Sequence, residues 1–254
     1  MDTTTMLFRS SSIGGLATQK WPSDTADQII IENIIFNAKR LVNDRENKFT
    51  IKGTKNEHQG IQMLSNYLQL PLEKNHTRMA DEFTTGECDI DVQDADIIYD
   101  IKCSYDWTTF TKVAIKELDK GYEWQIKDYQ RLYGRNHGAI AYVLTNTPDE
   151  DIRHQIYMES FKWGGDEAMP DYRKIRIIRN HVYDFETFDR LVQEICPTID
   201  KAGSDELMLF QEWELEQRIC IKNCNIDAEF AGNVEKIVTR ARQRAEELRI
   251  MLKM

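Results

Sequence analysis

Two acidic residues and a lysine stand where a two-stranded ribbon would bring them together. Gly86-Glu87-Cys88-Asp89-Ile90-Asp91-Val92 reads as one strand, Gln93-Asp94-Ala95-Asp96 as a tight turn, and Ile97-Ile98-Tyr99-Asp100-Ile101-Lys102-Cys103 as the returning strand. Alternate side chains of a strand share a face. Ile98, Asp100 and Lys102 therefore point one way, and Ile97, Tyr99, Ile101 and Cys103 the other. On the earlier strand Asp89 and Asp91 oppose Cys88, Ile90 and Val92. A ribbon closed symmetrically about Asp94 and Ala95 sets Val92 against Ile97, Asp89 against Asp100 and Glu87 against Lys102.

Facing Cβ atoms lie roughly 4.5–5.5 Å apart, and two carboxylates that close repel each other. A divalent cation between them reverses the sign of that interaction. All-oxygen ligands suit Mg²⁺ or Mn²⁺ rather than zinc. Lys102, one step along the same face, completes an arrangement suited to phosphodiester hydrolysis. The metal orients a water and lowers its pKa, while the lysine positions that water or stabilises charge on the scissile phosphate. The competing account is a solvent-exposed strand face on which Lys102 merely pairs with Glu87. Against it stand the spacing to Asp89, the symmetric turn and the apolar opposite face.

The elements around this ribbon read as an α/β mixture. A Ser/Gly-rich opening precedes a helix-like stretch from Asp24 to Leu41, and another helix starts near Thr54, with Ile61, Leu64, Tyr67 and Leu68 at helical spacing. A long polar helix with an aromatic face follows over about 111–134, ending at Gly134 as a C-cap would. Residues 137–146 form a strand, 149–161 a helix, Ile175 to Asp184 a strand, and 185–196 a helix. Pro197 to Ser204 looks like a linker, and 205–254 reads as almost wholly helical. Its last helix, about 227–253, lines up Val234, Ile237, Val238, Ala241, Ala245, Leu248 and Leu252 in a stripe that needs a partner, either the core or another subunit.

With Asp89, ten intervening residues and then Asp100-Ile101-Lys102, the chain resembles the PD-(D/E)XK nuclease superfamily. Two further motifs are similar to those of phage-type alkaline exonucleases, the group of lambda exonuclease and the YqaJ-type viral recombinases. Gly53-Thr54-Lys55-Asn56-Glu57 resembles their G-x-x-x-E helix start, and Gln125 to Tyr129 their Q-x-x-x-Y helix motif. The resemblance spans about residues 50–146, with a weaker trace at the N-terminus. Cys88 stands where the proline of the superfamily's name would precede Asp89.

The resemblance implies a restriction-endonuclease-like core over 1–200, a mixed central sheet flanked by helices, with a helical extension over 201–254. It implies a 5′-to-3′ exonuclease on linear double-stranded DNA that leaves 3′ strands for an annealing protein. Asp89, Asp100, Ile101 and Glu57 would hold one or two Mg²⁺ or Mn²⁺ ions, with Lys102 assisting. Thr54-x-x-Glu57 is also a capping box, which would turn the glutamate toward backbone N–H groups instead. Gln125 and Tyr129, four apart on one helical face, would lie over the active site, the bland account being ordinary packing. Arg9 with Ser11 and Ser12 would hold a 5′-phosphate, arginine offering two parallel hydrogen bonds to such a group; a Ser-rich disordered tail competes. Lys127 and Arg131 would meet the phosphate backbone. Ring-shaped trimers that enclose DNA occur in the family.

Composition bounds these readings. At 254 residues, 41% hydrophobic and 30% charged, the chain suits one domain or one with a modest appendage. It shows neither an apolar run of membrane length nor a secretory pattern. Five scattered cysteines fit a reducing interior, so the expected location is the cytoplasm of a bacterial host if the chain is phage-encoded. A net charge of −10 excludes a simple nucleic-acid coat. Two local basic tracts, 173–179 and 236–253, are either solvated faces or DNA contacts. Alternatives are an endonuclease or junction resolvase on the same core, an iron–sulfur nuclease using Cys220 and Cys224, and a non-catalytic assembly module.

Overall fold

Residues 137–144 alternate between two cores, and that alternation organises the molecule. The computed structural model describes residues 2–18, 20–39, 48–199 and 217–252. Strand β6 (His137–Val143) sends Ala139, Ala141 and Val143 to one face, and Ile140, Tyr142 and then Leu144 to the other. Strand β5 (Ile97–Cys103) runs parallel to it and divides in the same way, with Tyr99 and Ile101 on the first face and Ile98 on the second. Helix α3 (Lys48–Leu68) covers the first face through Ile61 and Leu64. Helices α4 (Trp107–Ile115) and α5 (Lys120–Tyr133) cover the second through Phe110, Ile126 and Tyr129. Parallel neighbours need such a helical crossover.

The sheet is completed by β4 (Ile90–Val92) and β7 (Ile219–Asn223), each antiparallel to its neighbour, in the order β4-β5-β6-β7. A second, three-stranded sheet joins β1 (Phe8–Arg9), β3 (Thr84–Gly86) and β2 (Met79–Ala80). Helices α1 (Ser10–Leu16), α2 (Asp24–Lys39) and α9 (Phe230–Leu252) share a separate core built from Ile13, Leu16, Ile30, Ile34, Val234, Val238 and Ala241. Helices α6 (Asp149–Ser160), α7 (Asp171–His181) and α8 (Phe185–Ile195) form a further cluster. The α/β architecture expected from the sequence, a mixed sheet flanked by helices, is the one observed.

Several local expectations are corrected. The ribbon expected from Gly86 to Cys103 is broken over 87–89, so β3 joins the small sheet and only β4 pairs with β5. Its register is the expected one, Val92 against Ile97 and Ile90 against Tyr99. The break turns Cys88 to the α5 side while Ile90 faces α3. The single helix expected over 111–134 is two, α4 and α5, each with an aspartate N-cap: Asp106 accepts from the Thr109 N–H and Asp119 from the Gly121 N–H. Gly134 does close α5, with φ of 65°.

The strand expected at Ile175 to Asp184 is instead the second half of α7 and its exit. Ile175, Ile178 and Val182 are buried together in one cluster, and that helical spacing outweighs their β-branched preference. Within 205–254, expected to be helical, residues 219–223 form β7, because an edge of the sheet stood open to them. Helix α3 starts at Lys48, so Thr54 lies inside it rather than at the helix start expected there. The expected domain boundary at 200–201 and the helix end at Leu41 lie outside the described residues. The Ser-rich opening is ordered as β1 and α1 rather than a loose tail.

Candidate active site

Seven of the expected site residues, Tyr129 among them, meet in one cleft of about 580 Å³, at the end of β5 between α3 and α5. Its lining includes Gly53, Glu57, Asp89, Asp100, Ile101, Lys102, Tyr122 and Gln125. Each arrives for a local reason. Asp100 and Lys102 alternate with Ile101 along β5, so the sheet sends both toward α5 while Ile101 anchors the opposite core. Asp89 sits on the bend before β4 and is held by the strand it approaches, its Oδ2 accepting the Ile101 N–H at 2.7 Å. Gly53 and Glu57 are four apart on α3 and so share a face.

The electrostatics are uneven. Asp100 is only 2% exposed. Its Oδ1 accepts from Gln125 Nε2 at 3.3 Å. Its Oδ2 lies 2.6 Å from Lys102 Nζ, yet the angles leave that oxygen without an aligned hydrogen bond. Burial pushes the Asp100 carboxyl above the usual range against the opposing pull of Lys102, and the charge of Asp89 adds to the rise. For Lys102 burial works downward, but the Asp100 charge and contact outweigh it and hold the ammonium well above its ordinary value. Its Nζ also stands 5.0 Å from the Tyr122 ring centroid, a cation–π contact.

Lys102 was expected to face Glu87. Instead Glu87 pairs with Arg78 at 3.2 Å, because the break over 87–89 removes Glu87 from the ribbon. Glu57 meets Lys74 Nζ at 2.5 Å. The same nitrogen lies 2.7 Å from Asp89 Oδ1. Burial lowers the Lys74 ammonium, and its hydrogen bonds to Asp89 and Glu57 more than restore it, so it sits above its ordinary value. Lys74 is the functional candidate that sequence reasoning missed, for it belongs to the loop before β2 and fits no motif.

Gln125 and Tyr129 lie side by side as their spacing requires, with Gln125 Nε2 donating to the Tyr129 hydroxyl at 3.0 Å. Both are buried, and Gly86 makes room: a Cβ there would stand 2.5 Å from Tyr129 Cε1. Lys127 and Arg131 are not in the cleft. Lys127 is shared by Glu123 and Asp227 at 2.9 and 3.2 Å, and Arg131 by Asp81, Asp128 and Thr84. Arg9 and Ser11 are exposed and Ser12 half-buried at the β1–α1 junction, where Arg9 pairs with Thr85, one residue before Gly86. Asp91 is held apart by Arg135 at 2.7 Å.

Glu57, Asp89 and Asp100 line one cleft and offer only oxygen ligands, the donor type that suits a hard divalent cation. Among the described residues no three acidic, histidine or cysteine side chains converge on one point by themselves, and Lys74 stands between Glu57 and Asp89. All five cysteines are free.

Comparison with solved structures finds the same fold in exonucleases. A phage-related exonuclease from Haemophilus somnus 129PT superposes with a TM-score of 0.63 at 22% identity, covering 98% of this chain and 97% of that one. An alkaline exonuclease from Laribacter hongkongensis gives 0.56 at 11% identity over 98% and 95% of the two chains. The same enzyme in complex with dAMP gives 0.53 at 13% identity, over 99% and 96%. No family model matches the sequence, nor does any curated protein. At these identities the likeness is one of fold.

Proposed function

We propose that this chain is a metal-dependent deoxyribonuclease that degrades linear duplex DNA from its 5′ ends and leaves 3′ strands for recombination or repair. The carrying observation is the meeting of Glu57, Asp89, Asp100 and Lys102 in one cleft, with a buried Asp100 oxygen that lacks an aligned donor. Asp89 and Asp100 hold Mg²⁺ or Mn²⁺, with Glu57 and the Ile101 main chain beside them. When bound, the ion supplies an activated water and polarises the scissile phosphate.

The chain's own groups do the rest. Lys102 presents a fixed positive charge to the phosphate and to the attacking water. Gln125 bridges Asp100 and the Tyr129 hydroxyl, so it fixes the orientation of the carboxylate. Arg9, Ser11 and Ser12 take the 5′-phosphate from the β1–α1 junction. Lys127 and Arg131 contribute to the DNA path only if they release their carboxylate partners. The dAMP bound by the Laribacter enzyme supports the reading, because a deoxynucleoside monophosphate is what exonucleolytic cleavage releases. Phage origin, action in the host cytoplasm, delivery of product to an annealing protein and trimeric assembly belong to the same proposal. No described helix is long and apolar enough to cross a membrane.

The test uses linear duplex with a 5′-phosphate or a 5′-hydroxyl and covalently closed circles, each with and without Mg²⁺. The 5′-phosphorylated duplex should shorten to mononucleotides and 3′ single strands only with the ion, and the circles should survive. Nicked circles would move the assignment to an endonuclease or junction resolvase. Intact linear DNA in both Mg²⁺ and Mn²⁺ would defeat the nuclease reading.

A further inference from the structure

Lys74 is built into the cleft rather than draped over it. The next residue, Asn75, donates its N–H to the Asp89 carbonyl at 2.7 Å. The Asn75 side-chain amide also donates to the Cys88 carbonyl at 3.0 Å and to the Tyr133 hydroxyl at 2.9 Å. On its other side Leu72 is buried against the α3 core. The ammonium that joins Glu57 to Asp89 therefore comes from a segment pinned to the very bend that carries Asp89.

Charge then limits what else can enter. Glu57, Asp89 and Asp100 bring three negative charges, and Lys74 and Lys102 two positive ones, a net of −1. One divalent ion takes the cleft to +1. A second would take it to +3 beside a carboxylate that is 2% exposed, where screening by water is weak. We infer that Lys74 fills the place of a second metal ion, so that this chain works with a single divalent ion on the Asp89–Asp100 side while the ammonium satisfies Glu57. The inference rests on the nuclease reading for the presence of an ion and adds its number and side.

Calorimetric titration of the full chain with Mn²⁺ tests it without any turnover. The parent should bind one ion per chain. Lys74→Met should bind two, the first at least about tenfold tighter, because a neighbouring positive charge has gone. Lys74→Arg should return to one. Two ions in the parent, or one in Lys74→Met, would overturn the inference and leave the nuclease reading standing. No binding at all would sink both. Should Lys74→Met fail to fold, Lys74→Gln takes its place with the same two-ion expectation.

Discussion

The cleft and the α2–α9 layer both gather charge, but they resolve it in opposite ways. In the layer the arginines of α9 reach acceptors on neighbouring elements, with Arg240 Nε alone among them buried without one. Arg244 grips Asp27 with two bonds of 2.6 and 2.9 Å, Arg242 donates to the Met6 carbonyl at 3.1 Å, and Arg240 donates to the Leu16 carbonyl at 2.9 Å. In the cleft three carboxylates share two ammoniums, and the most buried of them keeps an oxygen without an aligned donor. Polar groups that serve only stability are normally satisfied in full. On the proposed function the cleft would hold charge in reserve for an ion and a phosphate, at a cost to the fold. The α9 arginines are thus tied to the packing of their layer, whereas the cleft holds one more carboxylate than ammonium.

Three substitutions sharpen or break this contrast. The largest effect belongs to Asp100→Asn, which should cut Mg²⁺-dependent cleavage by at least about 10³-fold while leaving the melting temperature equal to or above the parent's. A large fall in melting temperature would mean that Asp100 is a structural ion-pair member like Asp27. Next comes Gln125→Ala. Losing one hydrogen bond to a charged group costs about 1.5–3 kcal/mol, so the metal concentration needed for half-maximal activity should rise roughly tenfold to a hundredfold with little change in melting. An unchanged metal requirement would reduce Gln125 to packing.

The smallest effect should come from Arg244→Ala. A partly exposed pair of this kind stabilises by up to about 1 kcal/mol, or roughly 2–4 °C in a chain of this size, and cleavage should not change. The dependence on pH has a definite sign. Hydrogen bonding from Arg244 holds the Asp27 carboxyl below its ordinary 3.8. The stabilisation is therefore complete above pH 3.8 and lost as the pH falls through the lowered value. The melting gap between parent and variant should narrow on acidification below 3.8. A gap that widens there would contradict the assignment.

The register of the β4–β5 ribbon was legible because strand geometry is local. Alternation put Asp100 and Lys102 on one face and turn symmetry set the register of Val92 and Ile97, both statements about neighbours in the chain. Gln125 and Tyr129 were legible for the same reason, four residues being about one helical turn. Lys74 left no such trace, because its role depends on a loop folding back against Asp89. The helical fate of Ile175, Ile178 and Val182 was hidden by their β-branched side chains, and only burial against α6 and α8 decides it. Strand β7 was hidden by a similar dependence, since nothing in residues 219–223 announces a partner at 139–143.

One consequence of the α2–α9 packing concerns synthesis. The Thr3 hydroxyl donates to the Glu246 carboxylate at 3.1 Å across 243 residues, and the apolar side of α2 rests on Val234 and Val238. At about 5–20 residues per second, some ten to forty seconds separate the emergence of α2 from that of α9. Throughout that interval the oily flank of α2 lacks its cover on the ribosome, which makes this early segment a natural client for a nascent-chain chaperone.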